Sequence, residues 1–281
     1  VGDGVVLHPI LSGEIRLDVI AARPPRRGPA KLPRTLLGSM RRKAQWYPTL
    51  VFLVEHPTAG PFLIDVGYDP SIADDPTRTL GHIFGKLAMQ HRLADRDVTE
   101  AVAERGVDPA NVKLVVMTHL HLDHTSAAGQ WQQATFLVDR IERKAARRPG
   151  PGPYVRSHLA TIERWREVNF NGPEAEPFES FSRTIDLFGD GSVRLVSSPG
   201  HSPGHLSVLL QLADRYALVM GDSAMTTREL RERLVDGVII NQDAYLRSGD
   251  EARDFYRAHP GTLAIPSHDR EVWAGLEPIY R

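Results

Sequence analysis

The sequence predicts an α/β protein built as an αββα sandwich, with two mixed β-sheets face to face and helices outside. Two observations carry this. Strand-like runs come first and then alternate with helix-like ones, and several apolar strand-like runs end alike, on a histidine or an aspartate.

The elements follow in chain order. Residues 23–48 are basic and proline-rich and carry Met40, Trp46 and Tyr47. They read equally as a lid whose apolar side chains line a pocket, or as a solvated loop or dimer contact. Residues 50–55 and 61–66 are apolar and flank the turn-rich 56–60, which predicts a hairpin. Asp97, Val98, Thr99 and Glu100 form a capping-box pattern opening a helix that Gly106 ends. Residues 112–117 are apolar and β-branched enough for a buried strand, and 125–128 continue into a short helix. The charged run 140–148 reads as a solvated helix face, and the Pro/Gly loop after it could hold Tyr154 at a pocket rim. Strands are expected at 193–196, 206–210, 216–220 and 263–267, and helix starts at 226–229 and 248–251. No internal repeat is clear.

Composition bounds the function. A chain of 281 residues with 41% hydrophobic content can bury a substantial core, and residues 1–281 read as a single domain. A net charge of −1 argues against a nucleic-acid partner. No run approaches the length of a membrane span, and Val1-Gly2-Asp3-Gly4 shows no signal peptide, so a cytoplasmic protein is expected. With no cysteine in the chain, disulfides and thiolate ligation are excluded, and any metal must be held by nitrogen and oxygen.

The run HLHLDH at 119–124 packs three imidazoles and a carboxylate into six residues, directly after a buried strand. Extended backbone puts residues two apart on one face, so His119 and His121 can converge on one cation. Asp123 and His124 lie where the chain turns into a helix and would face a second cation nearby. Such donors suit Zn²⁺, and also Mn²⁺ or Fe²⁺. Further ligands are expected from other strand ends: His201 in the loop PGHSPGH, Asp222 after Gly221, and His268 after the strand at 263–267. His201 is preferred to His205, which opens the next strand and is expected to support a ligand instead.

Together HLHLDH, PGHSPGH, the Gly221-Asp222-Ser223 turn and the Ser267-His268-Asp269 ending resemble the metallo-β-lactamase superfamily, over roughly residues 50 to 270. The segment 62–67 is similar to that family's early Asp-x-Gly strand end. The resemblance implies that His119, His121 and His201 hold one metal, that Asp123, His124 and His268 hold the other, and that Asp222 bridges them. It implies that Asp65 hydrogen-bonds the outer nitrogen of a metal-bound histidine. It also implies metal-assisted hydrolysis: two divalent ions sharing a water make hydroxide available near neutral pH, while Asp123 orients it and passes its proton to the leaving oxygen. Asp123 differs from the glutamate of the family's diiron oxygen-reducing members.

Within the family, the PGHSPGH loop and the terminal SHD most resemble the N-acyl-homoserine lactonases. Those usually carry a tyrosine three residues after the bridging aspartate; here that position is Met225, and a thioether donates no hydrogen bond. Either Tyr68 or Tyr154 supplies a hydroxyl instead, or the substrate differs. The expected partner is a small ester or lactone with an apolar part, met by Met40, Trp46, Phe84 and Met225. A glyoxalase II-like thioesterase and a phosphoester hydrolase are the alternatives. An inactive binding module would need a broken ligand set, and all seven residues are present.

Overall fold

The computed structural model describes residues 4–17, 45–75, 90–148, 153–235 and 239–281. Two mixed sheets lie face to face. The first contains β1 (Val6–Leu17), β2 (Gln45–His56), β3 (Gly60–Ile64), β4 (Gln90–Leu93), β5 (Leu114–Val116), β6 (Thr135–Asp139) and β7 (Trp165–Val168), in the order β4-β1-β2-β3-β5-β6-β7. The second contains β8 (Glu176–Phe178), β9 (Phe181–Asp186), β10 (Val193–Ser197), β11 (Leu206–Gln211), β12 (Tyr216–Gly221) and β13 (Leu263–Pro266), in the order β13-β12-β11-β10-β9-β8. The helices are α1 (Val98–Glu104), α2 (Leu122–Thr125), α3 (Arg140–Ala146), α4 (Arg156–Ala160), α5 (Thr227–Glu232), α6 (Gln242–Ala258) and α7 (Arg270–Gly275). Among the described residues no helix is long and apolar enough to cross a membrane.

The period of two along each strand builds the layers. On β2, Leu50, Phe52 and Val54 point between the sheets, where they pack with Val193, Leu195, Val208 and Val219 of the second sheet. Their neighbours Val51 and Leu53 point outward onto Val98 and Val102 of α1 and onto Trp131. In the second sheet Leu209 and Leu218 face outward against Leu230 of α5 and Phe255 of α6. Both sheets are therefore buried on two faces, and helices cover the outside.

The expected hairpin forms, with β2 pairing antiparallel to β3 from Phe52↔Ile64 to His56↔Gly60. The capping box of α1 is present: Asp97 accepts from Glu100 N at 2.9 Å, and Glu100 accepts from Asp97 N at 3.2 Å. Three expectations need correction. The helix after His124 does not run over 125–128; α2 ends at Thr125 and a 3₁₀ turn over Ser126–Trp131 continues it. Residues 248–251 do not start a helix. Asn241 caps α6 by accepting from Ala244 N at 3.0 Å, so α6 runs through Ser248, whose hydroxyl donates to Pro199 O. Residues 45–48 lie on β2, paired with β1, where a loop or lid was expected; the remainder of 23–48 falls outside the described residues.

Strands β3, β5 and β6 run parallel, as do β12 and β13, so their carboxyl ends gather at one end of the sandwich. Ligands of open α/β sheets bind outside such ends. Phe52 is 1% exposed at the centre of the inter-sheet core. Phe52→Ala is expected to cost about 3–5 kcal/mol, read from urea unfolding followed by circular dichroism.

Candidate metal centre

Four chain segments at strand ends deliver the polar cluster. After β5 the chain stays extended through His121, which caps α2 with φ −72° and ψ 163°. His119 and His121 therefore share a face, their rings edge to face with centroids 4.4 Å apart. The turn into α2 swings Asp123 and His124 to a second position. His201 enters from the β10–β11 loop, Asp222 follows β12 directly, and His268 comes two residues after β13. All seven expected residues are buried. They form three overlapping groups whose donor atoms lie within 4.8 Å of one another: His119, His121 and His201; His119, His124 and Asp222; Asp123, His124 and His268.

Asp222 sits at the middle. Its carboxylate lies 3.2 Å from His201 Nε2, 3.4 Å from the Nε2 atoms of His124 and His268, and 3.8 Å from His119 Nε2. Asp123 Oδ2 lies 3.4 Å from His268 Nε2 and 3.7 Å from His124 Nε2. Among the described residues, His119 Nε2, His124 Nε2, His201 Nδ1, His268 Nε2 and Asp222 Oδ1 are buried without a hydrogen-bond partner. Native proteins seldom leave buried polar atoms unbonded. Imidazole and carboxylate atoms converging in this way have the chemistry of a divalent-cation site, and the residues present fit one.

The outer atoms of these rings are held. Asp65 accepts from His124 Nδ1 at 2.7 Å, from the Thr118 backbone N–H at 2.8 Å and from the Thr118 hydroxyl at 2.7 Å. Aiming the carboxylate this way puts Asp65 at φ 61°, a conformation that costs a non-glycine residue energy and that clusters at functional sites. His268 Nδ1 donates to Pro48 O at 2.7 Å. His205 stays behind the cluster: its Nε2 accepts the backbone N–H of Asp222 at 2.9 Å, and its Nδ1 meets Ser198 Oγ at 2.8 Å. This contact fixes where Asp222 starts, and Gly221, at φ +56°, leaves room for it. A Cβ there would lie 2.7 Å from His205 Nε2.

Sequence reasoning missed Glu142. The run 140–148 does not present only a solvated face, because Glu142 is fully buried beneath the cluster. It accepts from Leu120 N at 3.1 Å in the HLHLDH segment, and from Ser202 Oγ at 2.7 Å and Gly204 N at 3.0 Å in the PGHSPGH loop. One carboxylate thus ties together the two loops that carry His119, His121 and His201. The local pattern points elsewhere. Glu142 is the third helical residue after the cap Asp139, where a glutamate normally folds back onto the cap.

The pocket candidates scatter more. Tyr47 and Met225 pack with Ile15 in a small buried cluster, and Trp46 lies under the Arg92 guanidinium at 3.9 Å. Tyr154 hydrogen-bonds Glu142, and its ring stands 5.2 Å from that of His121. Tyr68 is buried. Met40 and Phe84 lie outside the described residues.

Residues 44–268 match the family model described as the metallo-beta-lactamase superfamily. The chain belongs to that superfamily. It is 32% identical over 237 residues to the N-acyl homoserine lactonase AttM of Agrobacterium fabrum, covering 82% of this chain and 85% of the relative. Among solved structures, an N-acyl homoserine lactone hydrolase with N-hexanoyl-L-homoserine at its catalytic metal centre superposes with a TM-score of 0.76, at 18% identity and over 100% of both chains. AidC, a dizinc quorum-quenching lactonase, superposes with a TM-score of 0.63, at 15% identity and over 96% of this chain and 90% of its own. The superfamily's two-sheet sandwich is the fold seen here.

Charge explains the protonation of the cluster. Burial opposes charge on His268, but the carboxylates of Asp222 and Asp123 outweigh it and hold the ring up at about 10. His124 is raised in the same way, with burial overcome by Asp65, Asp123 and Asp222. Burial would raise Asp222, yet His268, His124 and His201 push it well below the usual carboxylate range. Burial lowers His119 and His121, and neighbouring imidazoles lower both further. In the metal-free chain at neutral pH, His124 and His268 therefore carry protons that a bound cation must displace. Metal uptake should release protons, and metal affinity should fall as pH falls. Adding Zn²⁺ to chelator-stripped protein in weak buffer at pH 7 should acidify the solution. A proton release near zero contradicts the assignment.

Asp65→Asn places an amide where three donors point. It is expected to weaken metal affinity roughly 10- to 100-fold while the fold survives, measured by competition against a chromogenic chelator. Unchanged affinity would show that Asp65 does not orient His124.

Proposed function

We propose that this chain hydrolyses the ester bond of N-acyl homoserine lactones with two divalent metal ions, zinc being the first choice and manganese or iron the alternatives. The observation that carries this reading is the complete buried donor set centred on Asp222, with neighbouring imidazoles and a second carboxylate on both sides of it. The AttM relative supports the choice of substrate. When bound, the two cations would supply Lewis acidity, polarising the lactone carbonyl and bringing the pKa of water near neutrality. His119, His121 and His201 would hold one ion, Asp123, His124 and His268 the other, with Asp222 shared.

The remaining work falls to the chain. Asp123 is held well below the usual carboxylate range because His124 and His268 outweigh its burial. With cations bound, its carboxylate could take a proton from the attacking water. Returning that proton to the ring oxygen as the acyl C–O bond breaks completes the hydrolysis. Ile15, Tyr47 and Met225 offer an apolar wall for the acyl chain. The wall adjoins the cluster, since Tyr47 precedes the Pro48 carbonyl that holds His268 and Met225 follows Asp222 by three residues.

The test is a hydrolysis panel on zinc- and manganese-loaded protein with N-hexanoyl homoserine lactone, an aryl ester, a glutathione thioester and a phosphodiester. Lactone opening should be the fastest reaction, should vanish on chelation and return with metal. Asp123→Ala should lower turnover by at least roughly 10²-fold, within the range typical of a positioned acid–base group. Brisk thioester or phosphodiester cleavage without lactone opening would overturn the substrate reading and leave the metal site standing.

A further inference from the structure

Among the described residues, three polar side chains beside the candidate metal ligands lack well-formed hydrogen bonds. Tyr68 is 1% exposed, its ring packed among Ile72, Leu93, Leu122 and Val155, yet among the described residues its hydroxyl makes no well-formed hydrogen bond and has only the Thr49 hydroxyl beside it. Thr49 Oγ1 is buried and likewise without a well-formed bond; it neighbours the Tyr68 hydroxyl and follows Pro48, whose carbonyl holds His268. His91, on the edge strand β4, sets its ring 5.0 Å from Tyr68, and neither of its ring nitrogens is bonded. One such group can be an accident of packing. Three that share a neighbourhood mark a place where a polar atom of another molecule completes them.

The backbone reserves the position. The register of β1 against β2 slips between Leu11 and Gly13. A Cβ at Gly13 would lie 2.9 Å from Tyr68 Cδ2, so the ring occupies space that only glycine leaves free. Leu122, which packs on that ring, precedes Asp123 in α2. Burial and the charges of Asp123 and Asp222 push the Tyr68 phenol well above its usual value, so it keeps its proton and is available as a donor.

We propose that the Tyr68 hydroxyl donates a hydrogen bond to the oxygen of the departing alcohol, with Thr49 and His91 completing the polar pocket around that oxygen. This rests on the ester-hydrolase reading above. In the step concerned, the oxygen of water bonds to the acyl carbon and the acyl C–O bond breaks, its electron pair passing to the alcohol oxygen. The proton from water, carried by Asp123, ends on that oxygen. Tyr68 keeps its own proton and stabilises charge while the bond is breaking, so it matters most where the leaving alcohol is a poor one. Met225, three residues after Asp222, offers no hydroxyl.

The experiment compares Tyr68→Phe with wild type, both metal-loaded, on N-hexanoyl homoserine lactone, ethyl butyrate and 4-nitrophenyl acetate, with metal content measured alongside. Losing one such donor should lower kcat on the lactone and the ethyl ester by roughly 10²-fold, with KM changed by less than about threefold. The nitrophenyl ester, whose leaving group needs no help, should change by less than about threefold, and two metals should remain. Thr49→Val should move the same ratio in the same direction. An equal loss on all three esters, a loss of metal that accounts for the rate, or no loss on any ester would each overturn the proposal. Wild type that cleaves the simple esters but not the lactone overturns the lactone reading alone, because the ratio of ethyl to nitrophenyl ester still decides Tyr68. Wild type that cleaves none of them overturns both.

Discussion

The carboxylate of Asp222, lying between 3.2 and 3.8 Å from four imidazole nitrogens, is the contact around which the polar end of this molecule is arranged. Its position follows from backbone. β12 is buried and runs parallel to β13, Gly221 turns it sharply, and His205 takes the Asp222 N–H. Because β13 is its hydrogen-bonded neighbour, His268 arrives on the adjacent strand end. β11 pairs on the other side, and the loop before it brings His201. Both sheets contribute, and Leu206 N donates to Thr118 O at 2.9 Å where the two halves meet.

Holding so many dry polar atoms near one another works against folding, since buried charge is costly without compensation. Two buried acids supply part of it. Asp65 takes a backbone conformation unfavourable for its side chain in order to receive three donors. Glu142 receives donors from two separate loops, and burial raises its own pKa, a cost the three hydrogen bonds offset. Stability is concentrated elsewhere, in the interdigitated aliphatic layer between the sheets. The division is a familiar one: a rigid apolar body carries an end that is shaped for chemistry more than for stability.

Much of this was legible in the sequence, for physical reasons. The strand-to-polar transitions before His119, Asp222 and His268 are local, so each could be read where it stands, and HLHLDH is dense enough to be decisive alone. Glu142 was not legible, because its partners lie 22 to 62 residues away and nothing in a charged helical run shows which face is covered. Ser248 misled in the opposite sense. Its Ser-x-x-Glu spacing is a valid start signal, overridden because Asn241 had already nucleated the helix and Ser248 found a partner in Pro199 O. Tyr47 was read with a basic, proline-rich stretch. Pairing across to β1, at Ile15↔Tyr47, makes it part of a sheet, and no local pattern announces a partner so far upstream.

The donor set at the end of the sandwich is entirely nitrogen and oxygen, five of its residues contributing neutral-capable rings and two contributing carboxylates. Such ligands lack the softness by which thiolates select zinc, so the common first-row divalent ions differ here mainly in their general order of affinity. Under the two-metal reading proposed above, which ion a given molecule carries would follow cellular supply at the moment of folding, so its occupancy would become a record of the medium in which its host grew.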